Sequence, residues 1–530
     1  MQHTCQALGG MVVAPHHLAA QAGRDVLRDG GNAVEAMVAA AATIAVVYPH
    51  MNSIGGDGFW LVHRPGHAPC AIDASGPSAS LASRSFYAGQ RSIPSRGPGA
   101  ALSVAGTLSG WQLALQRTAD WPGTRMPLDR LLQDAIGHAR KGIVVSSSQA
   151  ELTRAKLEQL NGVHGFADVF LRAGQAPRCG DILRQGALAD TLAHLARAGL
   201  DDFYRGSLAE AVGTELQRIG SPLRTADLQA WSAEVVEPLQ LRLADCTIYN
   251  LPPSTQGLAS LMILGIFERL GVSQGEGFAH VHGLVEATKR AFRVRNRVVT
   301  DPRRVPVPPQ AELRDELLEL LAADIDPDRA LPWPEPAQGG DTVWMGAVDR
   351  DGCAVSFIQS VYWEFGSAVV LRDTGITWQN RGISFSLDAC DLNALEPGRK
   401  PFHTLNPALA LFDDGRCMPY GTMGGEGQPQ TQAAVFTRYA RFGMTLQQAI
   451  DAPRWLLGRT WGDLSTTLKL EARFDRQLVE RLREAGHAVE ALPDDYSDTM
   501  GHAGALVRHA DGRIEGAADP RSDGAAAAVG

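Results

Sequence analysis

Three stretches of the 530-residue sequence hold groups suited to acyl transfer. Asp341-Thr342 stands where a Pro/Gly-rich loop meets a strand-like run, Pro401-Phe-His-Thr404 adds an imidazole and a hydroxyl, and Gly421-Thr-Met-Gly-Gly-Glu-Gly427 is a turn whose backbone N–H groups can converge. A threonine at a chain break, with its own amine as base and a diglycine oxyanion hole, completes an acyl-transfer apparatus. Taken alone, Thr342 reads as a β-branched residue opening a strand, and its company is what points to chemistry. No G-x-S-x-G elbow, H-E-x-x-H, P-loop or paired-Cys motif is present. His280-Val-His282 has a spacing that would place two rings on one strand face, but its helical surroundings favour surface or helix-packing histidines over a metal site.

The elements that must position these groups follow from pattern. Met11–Ala14 is an apolar run, and His17–Arg28 has helical Leu/Ala spacing. Asn32 with Glu35 forms a capping-box pattern opening an almost charge-free helix, of the kind buried between layers, that Pro49 stops. The Gly-rich Asn52–Gly58 turn leads into the strand Phe59–Val62, without the helix a phosphate site would need. Residues 105–330 read as mostly helical, with Glu286 and Arg290 as an i,i+4 pair on a solvated face. Pro252–Gly257 is a rigid turn before an apolar helix, and Asp326–Gly340 is an exposed loop. Two hairpins follow, 342–361 about an Asp-Gly turn and 406–420 about Asp-Asp-Gly. Strands at both ends with helices between predict an α/β layered fold with a largely antiparallel sheet.

Composition excludes other classes. With 45% hydrophobic residues the chain can build a core, and a net charge of −9 without like-charge blocks argues against nucleic-acid or anionic-membrane partners. Seven scattered cysteines fit a reducing compartment better than a disulfide framework. The N-terminus has no signal-peptide pattern and the longest apolar stretch, 36–48, is too short to span a bilayer, so a cytoplasmic protein is expected. Nothing in the sequence demands a metal or an organic cofactor.

A resemblance covers nearly the whole chain. Gly30-Gly-Asn-Ala-Val34, Ile54-Gly-Gly-Asp-Gly58, Phe203-Tyr-Arg-Gly206, Thr225-Ala-Asp-Leu228, Pro252-Pro-Ser254, Gly340-Asp-Thr342, Asp349–Gly352, Met423-Gly-Gly425, Ala452-Pro-Arg454 and Ala518-Asp-Pro-Arg521, in this order, resemble the γ-glutamyltransferase family of N-terminal-nucleophile hydrolases. The resemblance implies a four-layer αββα sandwich made as one precursor, cut between Asp341 and Thr342 into a large fragment 1–341 and a small fragment 342–530. The two would stay together as a heterodimer, itself possible as a dimer of heterodimers. By similarity Thr342 attacks an amide carbonyl with its α-amino group as base, Ser360 hydrogen-bonds the nucleophile, and Gly424 and Gly425 form the oxyanion hole.

The departures from the family pattern concern the substrate. Where γ-glutamyl enzymes hold the α-carboxylate with an Arg, this chain reads Ile72-Asp-Ala-Ser-Gly76; an Asn that contacts the α-amino end is Tyr362; the Asp that holds the ammonium aligns near Ile383-Ser384; two consecutive serines are His403-Thr404. Arg381, beside Asn380 on a strand-like run, is a new cation there, either a surface arginine or a carboxylate clamp. This set, with Tyr420–Gln430, Ala452–Leu456 and Gly458–Gly462, resembles the branch that includes oxamate amidohydrolase. The expected activity is hydrolysis of a small carboxylate-bearing amide, with Arg381, Asn380, Tyr362, His403 and Thr404 as the binding residues. A glutathione hydrolase or γ-glutamyltransferase, and an unprocessed non-catalytic binding protein, are the alternatives.

Overall fold

The computed structural model describes residues 3–121, 125–334, 341–458 and 465–530. Its frame is two seven-stranded antiparallel sheets. The first runs Ala525–Ala528, Gly10–Ala14, Asp341–Asp349, Ala354–Tyr362, Asp57–His63, Cys70–Ala74, Glu234–Val236. The second runs Cys5–Ala7, Ile514–Ala518, Ala503–Arg508, Cys417–Thr422, Ala408–Phe412, Cys246–Asn250, Leu239–Arg242. Both sheets combine strands from before and after residue 342.

The period of two along each strand sorts side chains into two cores. Met11, Val13, Phe59, Leu61, Trp344 and Ile358 of the first sheet meet Leu409, Leu506 and Ile514 of the second between the sheets. The alternate residues Val12, Trp60, Val343, Met345 and Phe357 point outward under the helices His17–Arg28 and Ala33–Val47. On the other side Ile248, Ala410, Met418 and Val507 pack under Gly257–Glu268, Phe278–Val298 and Gln428–Ala440. Helix, sheet, sheet, helix is the expected αββα sandwich.

The capping box forms: Asn32 Oδ1 accepts from the N–H groups of Val34 and Glu35 at 3.0 Å, and Glu35 Oε2 accepts from Asn32 N–H at 2.9 Å. Every residue of the helix it opens is buried. Both predicted hairpins are present. No helix among the described residues is long and apolar enough to cross a membrane.

Two expectations fail. The span 105–330 carries strands as well as helices, including Glu234–Val236 and Leu239–Arg242, each at a sheet edge, and Cys246–Asn250 next to the latter. Glu286 is not on a solvated face but fully buried, its carboxylate taking Lys289 Nζ at 2.6 Å and Arg290 Nη1 at 2.5 Å. An i,i+4 pair looks the same in sequence whether its helix is surface or core. Here segment 324–331 covers it, through Lys289 to the Leu331 carbonyl at 2.6 Å and Arg290 to the Asp324 carbonyl at 2.8 Å. Glu286→Gln leaves Lys289 without its counter-charge and Arg290 with only the exposed Asp324, and is expected to lower unfolding free energy by about 1–3 kcal/mol in denaturant titration.

Candidate active site

The inner face of the first sheet ends in a row of polar residues. Strand alternation gives Thr342 the facing of Trp344, Ser360 that of Ile358 and Asp57 that of Phe59, so all three face the second sheet. Asp57 pairs directly with Ser360. Beside Thr342 the ladder is irregular: Asp341 pairs with Tyr362 and Val343 with Gln359, which sets Ser360 and Val361 against the single Thr342. This is a β-bulge, and Tyr362 within it has φ +83°, a conformation costly for an aromatic residue. Ser360 Oγ supports the turn by accepting from Tyr362 N–H at 2.8 Å.

The glycine turn lies at the same end. A Cβ on Gly421 or Gly504 would strike the Trp344 ring, and one on Gly346 would meet Leu506. Stepping back from Gly346 through Trp344 to Thr342 therefore runs alongside Gly421 on to Gly424. Gly424 and Gly425 have φ +124° and +53°, left-handed conformations that leave their N–H groups outside any strand ladder, just before the Gln428–Ala440 helix. Gln256 ties this turn down: its Nε2 donates to the carbonyls of Thr404 at 2.7 Å and Gly425 at 2.9 Å. Arg295 holds Gln256 Oε1 at 3.0 Å and Glu426 at 2.8 Å. These three were not expected; the signal available was Gln256 in the Pro252–Gly257 turn.

Arg381 opens a short 3-10 turn, Arg381–Ser384, and is 1% exposed. Both the strand and the surface reading of it are corrected. Its guanidinium stacks on Tyr362 at 3.7 Å and donates to Thr404 Oγ1 at 3.3 Å. Nη2 is buried with no hydrogen-bond partner among the described residues. Burial lowers its pKa to about 10, so it stays charged near neutrality. Asn380 spends its amide on the main chain instead, donating to the Ser95 carbonyl at 3.0 Å and accepting from Trp363 N–H at 3.1 Å. Both polar atoms of its amide are thus engaged by the main chain.

His403 and Asp57 complete the cluster. His403 is fully buried, edge-on to Phe59 at 5.0 Å, with Nε2 3.4 Å from Asp57 Oδ2. Asp57 Oδ1 accepts from the N–H groups of Gly76 and Gly106 at 3.1 Å and from Gln379 Nε2 at 3.0 Å. Burial pushes Asp57 up to about 7 despite these donors and Arg381. Burial, then the charges of Arg381 and Lys400, hold His403 well below the ordinary imidazole range, so its ring is neutral. Asp57 was missed, although an Asp opening an otherwise apolar strand was the available signal. Ser75 is engaged by Asp73 at 2.5 Å, and Lys400 pairs with the same carboxylate at 2.8 Å. Ser384 Oγ donates to the carbonyls of Arg381 and Phe402 at 3.0 Å.

The structure thus brings Arg381, Tyr362, His403 and Thr404 together, with Thr342 and Ser360 along the row and Gly425, next to Gly424, tied to Thr404 through Gln256. Gly340, most of Gly458–Gly462 and the end of the Asp326–Gly340 loop lie outside the described residues. His280 and His282 pack within a helix; His282, Glu286 and His487 have ligand atoms within 4.8 Å of one another, but Lys289 and Arg290 already neutralise the Glu286 carboxylate. A cavity of about 430 Å³ bordered by Glu35, Trp121 and Leu131 shares no residue with the cluster.

Comparison with known proteins places this site in a family. Residues 19–529 match the gamma-glutamyltranspeptidase family model. The chain is 58% identical over 518 residues to the oxamate amidohydrolase proenzyme of Klebsiella pneumoniae, covering 98% of each, and 41% identical over 522 residues to the glutathione hydrolase-like YwrD proenzyme of Bacillus subtilis, again 98% of each. The crystal structure of cephalosporin acylase from Bacillus halodurans superposes with a TM-score of 0.91 at 32% identity, over 100% of this chain and 97% of that one. The chain belongs to the gamma-glutamyltranspeptidase family and has its N-terminal-nucleophile hydrolase fold.

Proposed function

We propose that the protein is a self-processing threonine amidohydrolase, cut between Asp341 and Thr342, that hydrolyses a small carboxylate-bearing amide such as oxamate to oxalate and ammonia. The observation that carries it is Arg381: a fully buried cation, held by Tyr362 and Thr404, with Nη2 lacking a partner among the described residues. Buried polar groups are satisfied as a rule, and a carboxylate matches a guanidinium in shape and charge. The 58% identity to an oxamate amidohydrolase supports the same substrate class.

In the reaction Thr342 Oγ adds to the amide carbon while its proton passes to the α-amine, whose reference pKa of about 7.7–8.0 suits transfer near neutrality. The oxyanion is met by the N–H groups of Gly424 and Gly425. The C–N bond breaks, the departing nitrogen takes the proton from the α-ammonium and leaves as ammonia. Water, deprotonated by the same amine, then releases the acyl group as a carboxylate and restores Thr342.

The α-carboxylate Arg of related γ-glutamyl enzymes is replaced here by Ser75, itself bound to Asp73, so an amino-acid end finds neither of its usual partners. Ammonia release from oxamate and amine release from a γ-glutamyl anilide, measured side by side, test the assignment. Oxamate is expected to be preferred, and glutathione to be a poor substrate. Comparable kcat/KM for glutathione and oxamate would overturn the assignment in favour of a γ-glutamyl enzyme.

A further inference from the structure

We propose that Asp57 is a positioning residue that sets the tautomer of His403, so that His403 Nδ1 is bare and accepts a hydrogen from the substrate's amide NH2. This rests on the amidohydrolase function proposed above and adds a reader for the nitrogen end to the Arg381 clamp for the carboxylate end. Oxamate has the two ends one C–C bond apart, so a pocket that distinguishes it from other small anions needs an N–H acceptor close to its cation.

The geometry supplies one. Asp57 Oδ1 is fixed by Gly76, Gly106 and Gln379, which leaves Oδ2 3.4 Å from His403 Nε2. Both ring nitrogens of His403 and Asp57 Oδ2 are buried without a hydrogen-bond partner among the described residues, and the 3.4 Å approach of Oδ2 to Nε2 is the contact that a hydrogen bond between them would tighten. When Asp57 is ionised, it takes a hydrogen from Nε2, and Nδ1 is left as an acceptor. When Asp57 is protonated, Oδ2–H donates to Nε2 and the ring hydrogen moves to Nδ1, which becomes a donor and repels an amide NH2.

The charged and titratable groups around Asp57 are Arg381, Lys400, His403 and the Tyr204 phenol. Arg381 and Lys400 stay cationic, His403 stays neutral, and burial pushes Tyr204 up out of range. Asp57, near 7, is the group of this set that changes charge close to neutrality. The α-amine of Thr342 titrates too, but it serves every substrate alike, so a ratio of two substrates cancels it.

The test compares oxamate with monomethyl oxalate, in which an ester oxygen that can accept a hydrogen replaces the NH2. Asp57→Asn keeps Oδ1 on its three donors and replaces Oδ2 with an NH2 that donates to Nε2, a permanent mimic of the protonated acid. In the processed variant kcat/KM for oxamate should fall roughly 10- to 100-fold while that for the ester stays within about threefold. In the wild type the oxamate-to-ester ratio should fall as pH drops through about 7, and in the variant it should be flat. The wild-type ratio reads the proposal even if the variant does not fold. Equal losses on both compounds, or a wild-type ratio indifferent to pH, would overturn the role of Asp57 alone. Wild-type enzyme inert on both compounds would overturn the amidohydrolase function itself.

Discussion

Thr342→Ala is expected to yield one uncut chain of 56.7 kDa with no measurable hydrolysis of oxamate. Self-cleavage needs the Thr342 hydroxyl: Oγ adds to the Asp341 carbonyl, the Asp341–Thr342 C–N bond breaks, and Thr342 gains a free amine while Asp341 is held as its ester. Water then splits the ester, leaving a carboxylate on Asp341. Alanine removes the nucleophile of this shift, and with it both the hydroxyl and the freed amine that later turnover requires. The bulge favours the step. Two residues oppose Thr342, and Tyr362, paired with Asp341 beside the bulge, has φ +83°, a conformation that costs of order 1–3 kcal/mol. Thr342→Ser keeps a hydroxyl and should still cut. A denaturing gel and N-terminal sequencing of the small fragment decide the matter: a fragment beginning anywhere but Thr342, or an active uncut Thr342→Ala chain, would remove Thr342 from its role.

How far the sequence carries depends on whether a feature is local. The Ala33–Val47 helix was legible because its cap and its lack of charge are both short-range signals, and the hairpins because Asp-Gly turns and β-branched runs sit side by side. The short strands between 234 and 250 were not, since three to five residues among helices give too short a period to detect. Glu286 was misplaced because its pairing is local but its burial comes from a segment some 40 residues on. The site divides in the same way. Thr342, Gly424 and Gly425 stand in motifs; the burial of Arg381 is made by Tyr362, Thr404 and Asp57, which lie far apart in sequence and meet only where the two sheets end. Asp57 escaped because its meaning depends on His403, more than three hundred residues away.

Arg381→Ala should raise KM and lower kcat/KM for oxamate far more than a surface arginine would. A substrate with so few atoms draws most of its affinity and orientation from one charge-assisted pair, and removing one partner of a buried pair typically costs about 2–5 kcal/mol, roughly 30- to 5,000-fold in kcat/KM. Lysine should not restore activity, because its ammonium lacks the planar fork and cannot both stack on Tyr362 and reach Thr404 Oγ1 as the guanidinium does. The loss also has a pH signature. Arg381 is among the groups that hold the Asp57 carboxyl down against burial, so its removal should move the transition near pH 7 upward. Cleavage at Thr342 should survive, since no substrate carboxylate takes part in it, and the presence of both fragments then shows that the variant has folded. A processed Arg381→Ala enzyme that hydrolyses oxamate at the wild-type rate would make Arg381 a packing residue on Tyr362 and remove it from substrate binding.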